Sequence, residues 1–92
     1  MFGQDDFDWD EANIGHVARH GVEPWEVEEA LLDTGRVGTD AYNVRGETRW
    51  AALGASETGR VLFVVFTRRA EKIRVVAARD AEDKEKRRYR KG

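Results

Sequence analysis

The sequence has no cysteine, a single proline and no apolar run long enough to cross a membrane. Without cysteine the chain can form neither disulfides nor thiolate metal sites. The first ten residues also lack the charged and then apolar pattern of a signal peptide. These absences predict a soluble cytoplasmic protein that does not enter a membrane.

Histidine is nearly as scarce, with only His16 and His20. Their spacing of four residues places both on one face of a helix, as in many metal sites. However, Val17 stands where a zinc protease motif has glutamate, and the chain has no further histidine or cysteine to complete a closed zinc site. We therefore expect no metal and no cofactor. His20 is interpreted as a packing or capping residue, or as an acid or base near neutral pH.

Charge of opposite sign is concentrated in the two halves of the chain. Residues 1–46 hold eleven acidic and three basic side chains, a net charge of −8, whereas residues 47–92 hold seven acidic and thirteen basic ones, a net charge of +6. This asymmetry predicts an anionic partner for the second half, with nucleic acid the commonest candidate. The alternative is that the acidic half packs beside the basic half and neutralises it. At this length a single domain, residues 1–92, is expected.

The centre of a sheet is predicted in the second half of the chain. Two runs rich in β-branched and aromatic residues, Val61 to Phe66 and Ile73 to Ala78, are separated by a short charged connection that suffices for a hairpin. We expect a three-residue loop at positions 69–71, so that Arg68 faces Lys72.

This pairing determines which arginines share a face of the sheet. Alternation then places Arg74 on the face of Phe66, and Arg79 on the opposite face. A guanidinium inside a strand needs a carboxylate, a phosphate or water, because burying it unpaired is costly. The simplest expectation is that Arg74 stacks on Phe66 and reaches solvent at the rim.

Two helices are predicted before the sheet. The segment Asp8 to Glu11 has the form of a capping box, and a helix should follow to about His20, with Gly21 as its left-handed stop. Pro24 suits the first position of a second helix, which should end at Gly35. That helix is expected to bury Val27, Ala30 and Leu31 with Trp25 beside them, and to expose Glu23, Glu26, Glu28 and Glu29.

Further strands complete an antiparallel meander. The segment Arg36 to Val44 contains Gly38 and polar residues, which favours an edge strand or an irregular connection. Residues 47–53 form the next predicted strand, and pairing Leu53 with Val61 places Glu47 and Arg49 on the face of Arg79. The predicted fold is α+β, with two N-terminal helices, three to four antiparallel strands and a C-terminal helix.

The predicted C-terminal helix has few apolar residues and many cations. Asp80 resembles its N-cap, and the helix should run from Ala81 to about Arg90. Its cations form either a helix that follows a phosphate backbone or a solubilising tail. They are Lys84, Lys86, Arg87, Arg88, Arg90 and Lys91.

Several short motifs follow one another in the order and spacing of a known family. They are Phe7-Asp8-Trp9-Asp10, Arg19-His20-Gly21-Val22, Glu47-Thr48-Arg49, Gly54, Gly59-Arg60-Val61-Leu62, Thr67, Ile73-Arg74, Ala78-Arg79 and the segment Glu85 to Tyr89. Over nearly the whole chain this pattern resembles the BrnT-like toxins of bacterial type II toxin-antitoxin systems. The chain departs from it at Arg19, where the family usually has lysine, and at Ala77, where it usually has serine.

The resemblance implies a RelE-like fold and metal-independent cleavage of RNA, which inhibits translation and arrests growth. It also implies a cognate ribbon-helix-helix antitoxin that neutralises the toxin in a hetero-oligomer. The toxin would then bind DNA only through this antitoxin. Such cleavage requires a base for the 2′-hydroxyl, cations for the charged phosphorane and a proton donor for the 5′-oxygen. The candidate base is Glu47 or His20, and the candidate acid is His20 or Tyr89. The candidate phosphate clamp consists of Arg49, Arg74 and Arg79, and further RNA contacts are expected from Arg68, Lys72, Lys86, Arg87 and Arg88.

Two other functions fit the same residues. A toxin-like protein could bind an antitoxin and contribute to operon autoregulation without catalysis, or the terminal helix alone could bind nucleic acid. Arg49 or Arg79 could also pair with Glu47 or Asp80 and so stabilise the strand ends. The ribonuclease hypothesis requires guanidinium groups from separate segments to meet at one exposed hollow. Arginines that point apart, each paired with its own acid, would contradict it.

Overall fold

The computed structural model describes residues 6–92. Residues 1–5 lie outside the described part, although the predicted domain and the ten residues inspected for a signal peptide include them. Within the described part the order of elements is α1 (Glu11–Ala18), α2 (Pro24–Leu32), β1 (Val37–Gly38), β2 (Tyr42–Val44), β3 (Glu47–Ala55), β4 (Val61–Arg69), β5 (Lys72–Asp80) and α3 (Asp83–Lys91). The strands pair antiparallel in the order β1-β3-β4-β5, and β2 also pairs with β3. The predicted α+β fold is confirmed.

The main core lies between α2 and one face of the sheet, here called the inner face. Val27, Ala30 and Leu31 of α2 are buried there, as predicted, against Leu62 and Val64 of β4. Gly54 of β3 permits this close approach, because a Cβ at Gly54 would lie 2.0 Å from the carbonyl oxygen of Ala30. Two expectations for α2 are wrong: Trp25 is 50% exposed, and Glu26 is buried at 8% exposure.

The ends of the first two helices differ from the predicted ones. The N-cap of α1 is Asp10 and not Asp8, because Asp10 and Asn13 exchange the capping-box hydrogen bonds. The helix ends at Ala18, so His20 lies beyond it, and Gly21 takes the predicted left-handed conformation at φ 68°. Pro24 begins α2 as predicted, but this helix ends at Leu32 and not at Gly35.

The last helix begins later than predicted. Asp80 remains in β5, opposite Leu62, and Ala81 continues the ladder by donating its amide to Val61. Glu82 therefore caps α3 in place of Asp80, and its side chain and that of Glu85 satisfy the first free amides. None of the helices in residues 6–92 is long and apolar enough to cross a membrane.

The β4–β5 hairpin has a tighter turn than expected, followed by a bulge. Arg69 pairs with Lys72 across the two-residue turn Ala70-Glu71, so the predicted three-residue loop is wrong. Both turn residues have positive φ, 52° and 66°, as a two-residue hairpin of this twist requires. Farther along, Phe66 pairs with Val75 but Val65 pairs with Ala77, which leaves Val76 as an extra residue.

The two-residue turn determines the face of Arg74, and the bulge determines that of Arg79. Arg74 lies opposite Thr67, and Arg79 lies opposite Phe63 beyond the bulge. Both arginines therefore point to the side away from α2, here called the outer face, and the predicted separation of the two is wrong. Because Phe66 points to the inner face, Arg74 does not stack on it.

The other strands agree with the predicted faces. Leu53 pairs with Phe63 and not with Val61, a shift of two residues that preserves the alternation. Glu47 and Arg49 consequently lie on the outer face, as predicted. The predicted irregular edge is confirmed, since β1 and β2 are short strands that pair with different halves of β3.

Candidate active site

An open hollow of about 250 Å³ lies on the outer face, at the end of the sheet near the β4–β5 turn. Three strands each contribute a guanidinium group to it: Arg49 from β3, Arg69 from β4 and Arg74 from β5. Glu47 supplies a carboxylate. We call this site the arginine hollow. The rest of its lining consists of Ala12, Asn13, His16, Thr67, Val75 and Val76.

Glu47 bridges two of the three arginines. Its Oε1 accepts from Nε of Arg49 at 3.0 Å, and its Oε2 accepts from Nη2 of Arg69 at 3.5 Å. The hydrogen bond from Arg49 lowers the pKa of Glu47, and Arg69 contributes to the same effect. The Nη groups of Arg49 have no acceptor within residues 6–92. This edge of the guanidinium is therefore available to a ligand.

Arg74 holds the start of α1 against β5. Its Nη2 lies 2.9 Å from Oδ2 of Asp10 and its Nη1 lies 3.4 Å from Oδ2 of Asp8, with its side chain only 15% exposed. Next to it, the side-chain Nδ2 of buried Asn13 donates to the carbonyl oxygen of Val75 at 3.2 Å, beside the bulge. The backbone amide of Asn13 lowers the pKa of Asp10, and Arg74 adds to the effect. Arg74 thus has a structural role as well as a place in the hollow.

His16 is the histidine that faces the hollow. It is half-buried and lies one turn after Ala12 on the same side of α1. His20 is exposed, lies beyond the end of α1 and does not line the hollow, although its ring centroid is 6.2 Å from that of His16. The sequence interpretation named His20, which belongs to the motif Arg19-His20-Gly21-Val22, and not His16. No group of three or more metal-binding side chains occurs in residues 6–92.

Arg79 and Tyr89 lie on the outer face but do not line the hollow. Arg79 makes a two-point ion pair with Glu85 of α3, at 2.8 and 3.0 Å, and its guanidinium lies 4.4 Å from the centroid of the Phe63 ring. The hydroxyl of Tyr89 donates to Asp33 at 2.5 Å. Glu85 raises the pKa of Arg79, and Asp33 raises the pKa of Tyr89. The Arg79–Glu85 pair attaches α3 to the outer face of the sheet, and the Tyr89–Asp33 hydrogen bond attaches it to the C-terminal end of α2.

A second charged surface lies along α3. A groove of about 620 Å³ runs between this helix and β1. Arg87 and Arg88 form no ion pair with any of residues 6–92. Lys86 does not line the groove, and Arg68 and Lys72 are exposed near the β4–β5 turn. We call this surface the cationic groove, and it is lined by Val37, Lys84, Arg87, Arg88, Lys91 and Gly92.

The comparison with known families agrees with the motifs in the sequence. The family model described as a ribonuclease toxin, BrnT, of type II toxin-antitoxin systems matches residues 9–85, which include the whole sheet. A search of curated proteins found no matching relative. Because the family match covers most of the chain, this protein belongs to the BrnT family of ribonuclease toxins of type II toxin-antitoxin systems.

Proposed function

We propose that this protein cleaves RNA without a metal ion and that the cleavage inhibits translation and growth. The observation that carries the proposal is the convergence of Arg49, Arg69 and Arg74 from three strands on one open hollow, beside Glu47 and His16. A phosphodiester carries its charge on oxygens that match forked guanidinium donors. The hollow therefore combines anion recognition with two groups that can exchange protons.

The proposed reaction divides the work among these side chains. The carboxylate of Glu47 takes the 2′-hydroxyl proton, and the 2′-oxygen attacks phosphorus. The bond from phosphorus to the 5′-oxygen breaks, and His16 gives a proton to that oxygen, leaving a 2′,3′-cyclic phosphate and a 5′-hydroxyl. Arg49 and Arg74 stabilise the charge that develops on the phosphorane. His16 takes the role considered for His20 or Tyr89 because these two lie outside the hollow.

Binding of RNA prepares Glu47 for its role as base. In the free protein, Arg49 and Arg69 lower the pKa of Glu47, which makes the carboxylate a weak base. A phosphate that binds these guanidinium groups competes with Glu47 for them. Loss of these hydrogen bonds raises the pKa of Glu47 again, so the base becomes stronger when the substrate is in place.

The cationic groove is proposed to bind the RNA backbone before cleavage. Each phosphate that a protein neutralises on a single strand contributes about 0.7 to the slope of log K against log salt. Replacing both Arg87 and Arg88 with glutamine should lower that slope by about 1.4. An unchanged slope and affinity would show that α3 is a solubilising tail.

The direct test is cleavage of RNA in the presence of EDTA. The wild-type protein should cut RNA, and Arg49→Gln should lose most of the activity while remaining folded. Arg19→Gln removes an exposed arginine at the end of α1 and serves as the matched control. RNA that stays intact at every dose of folded wild-type protein would refute the proposed activity.

The proposed context is a bacterial cytoplasm with a cognate antitoxin. Following the family, we propose that a ribbon-helix-helix antitoxin binds this chain in a hetero-oligomer and that the toxin meets DNA only through the antitoxin. Co-purification of the two proteins from their natural operon, followed by an operator-binding assay, tests this arrangement. DNA binding by the isolated toxin with the affinity of the complex would contradict it.

A second candidate is an interaction module without catalysis. The specific observation in its favour is that Arg49, Arg74 and Arg79 each pair with carboxylates in the free chain. This module would bind the antitoxin tightly and contribute to autoregulation. Expressed alone, it would have no effect on growth, whereas a ribonuclease toxin would arrest it.

A further inference from the structure

A second hollow, here called the aromatic hollow, lies on the inner face, behind the arginine hollow. Trp50 of β3 and Phe66 of β4 are directly opposite in the register, and their rings stack at 6.0 Å between centroids with planes 21° apart. Arg68 follows two residues after Phe66 on the same face, opposite Ile73. Together with Arg36 these residues line an open space of about 330 Å³, the size of a small-molecule site.

The two hollows are joined through neighbouring residues of the same strands. Arg49 and Trp50 are consecutive in β3 and point to opposite faces, and so do Arg69 and Arg68 in β4. Thr67, which precedes Arg68 in β4, is 2% exposed. Its hydroxyl donates to the carbonyl oxygen of Thr48, and this hydrogen bond holds β3 and β4 together at this end. Cations therefore continue from the outer face to the inner face around one end of the sheet.

We infer that the aromatic hollow is a nucleobase subsite, in which a base next to the cleaved phosphate stacks on Trp50 and Phe66. This inference rests on the proposed ribonuclease function. Single-stranded nucleic acids are bound where cationic grooves follow the backbone and aromatic rings stack on bases. Arg68 forms no ion pair with residues 6–92, so it can bind a phosphate on the inner face. Stacking tolerates any base, so the subsite contributes affinity more than sequence preference.

The test uses a short mixed-sequence 2′-O-methyl oligoribonucleotide, which lacks the attacking hydroxyl and stays intact. Trp50→Leu should weaken binding by about 5-fold or more, whereas Trp50→Phe, which keeps an aromatic ring, should retain most of the affinity. Trp25→Leu is the matched control, because Trp25 is an exposed tryptophan on α2. Arg68→Gln changes an exposed side chain and tests the subsite even if Trp50→Leu does not fold.

Abasic oligonucleotides separate stacking from other effects. Removing one base should weaken wild-type binding by a similar factor, and it should have little further effect in Trp50→Leu. If Arg49→Gln weakens binding but the changes at Trp50 and Arg68 do not, the subsite is refuted and the ribonuclease proposal stands. If the wild type neither binds nor cuts RNA, both are refuted. Variants that lose antitoxin affinity but not RNA affinity would identify a protein-docking surface and overturn the inference.

Discussion

Replacing His16 should impair RNA cleavage far more than replacing His20. His16 lines the arginine hollow, whereas His20 is exposed beyond the end of α1. A positioned acid or base contributes about 10²- to 10⁴-fold to the rate. Because the hollow is open and water can partly substitute, we expect His16→Gln to lower kcat/KM by about 10²-fold, or about 2.7 kcal/mol in transition-state stabilisation.

His20→Gln is the matched control for this comparison. It removes an imidazole whose ring centroid lies 6.2 Å from that of His16 but outside the hollow. We expect the cleavage rate to change by less than about 2-fold. Initial rates on a defined RNA in EDTA, measured across neutral pH, provide the assay. Equal losses in the two variants, or wild-type cleavage by folded His16→Gln, would refute the assignment.

Three predictions concern stability and are checked by thermal unfolding. Gly54→Ala should lower the free energy of unfolding by about 3 kcal/mol or more, because the new Cβ meets the α2 backbone, whereas Gly38→Ala, with nothing within 4 Å of its Cβ, should cost little. Ala70→Asn combined with Glu71→Gly should raise Tm by about 4–8 °C, since both positions have positive φ. Glu85→Gln should cost about 1 kcal/mol near neutral pH. The hydrogen bond from Arg79 lowers the pKa of Glu85 below its ordinary value of 4.5, so the ion pair contributes its full stabilisation above pH 4.5. The difference in the free energy of unfolding between wild type and Glu85→Gln should therefore shrink as the pH falls below 4.5.

Local patterns in the sequence predicted the elements of this fold well. Pro24 and Gly21 have roles that depend on their own backbone preferences, so they could be placed without knowledge of the tertiary structure. The faces of Glu47 and Arg49 were also predicted correctly, although the register was not. A shift of two residues leaves the alternation unchanged, and only an odd shift exchanges the faces.

The face of Arg74 could not be predicted because it depends on a turn of two residues and not three, and Arg79 shares that face only because of the bulge at Val76. The segment from Val75 to Ala78 is uniformly apolar, so it carries no polar alternation that would reveal an extra residue. The bulge is accompanied by a tertiary contact, the hydrogen bond from Asn13 to the carbonyl of Val75. Which of the two histidines lines the hollow likewise depends on how α1 packs beside β5, and this does not follow from their spacing.

The division of charge along the chain has two different outcomes in the structure. Carboxylates of the acidic half neutralise arginines of the basic half, since Asp8 and Asp10 pair with Arg74 and Glu26 pairs with Arg60. In contrast, the cationic groove on α3 includes arginines without an ion pair in residues 6–92.

Long-range attraction of RNA would therefore come from α3, because its charge is not compensated locally. The arginine hollow is nearly balanced, so a phosphate that binds the open Nη edge of Arg49 must also compete with carboxylates for the other guanidinium donors. Such exchange favours a correctly placed phosphodiester over other anions. A chain with a net charge of −2 can thus act on RNA, since the distribution of its cations matters more than their sum.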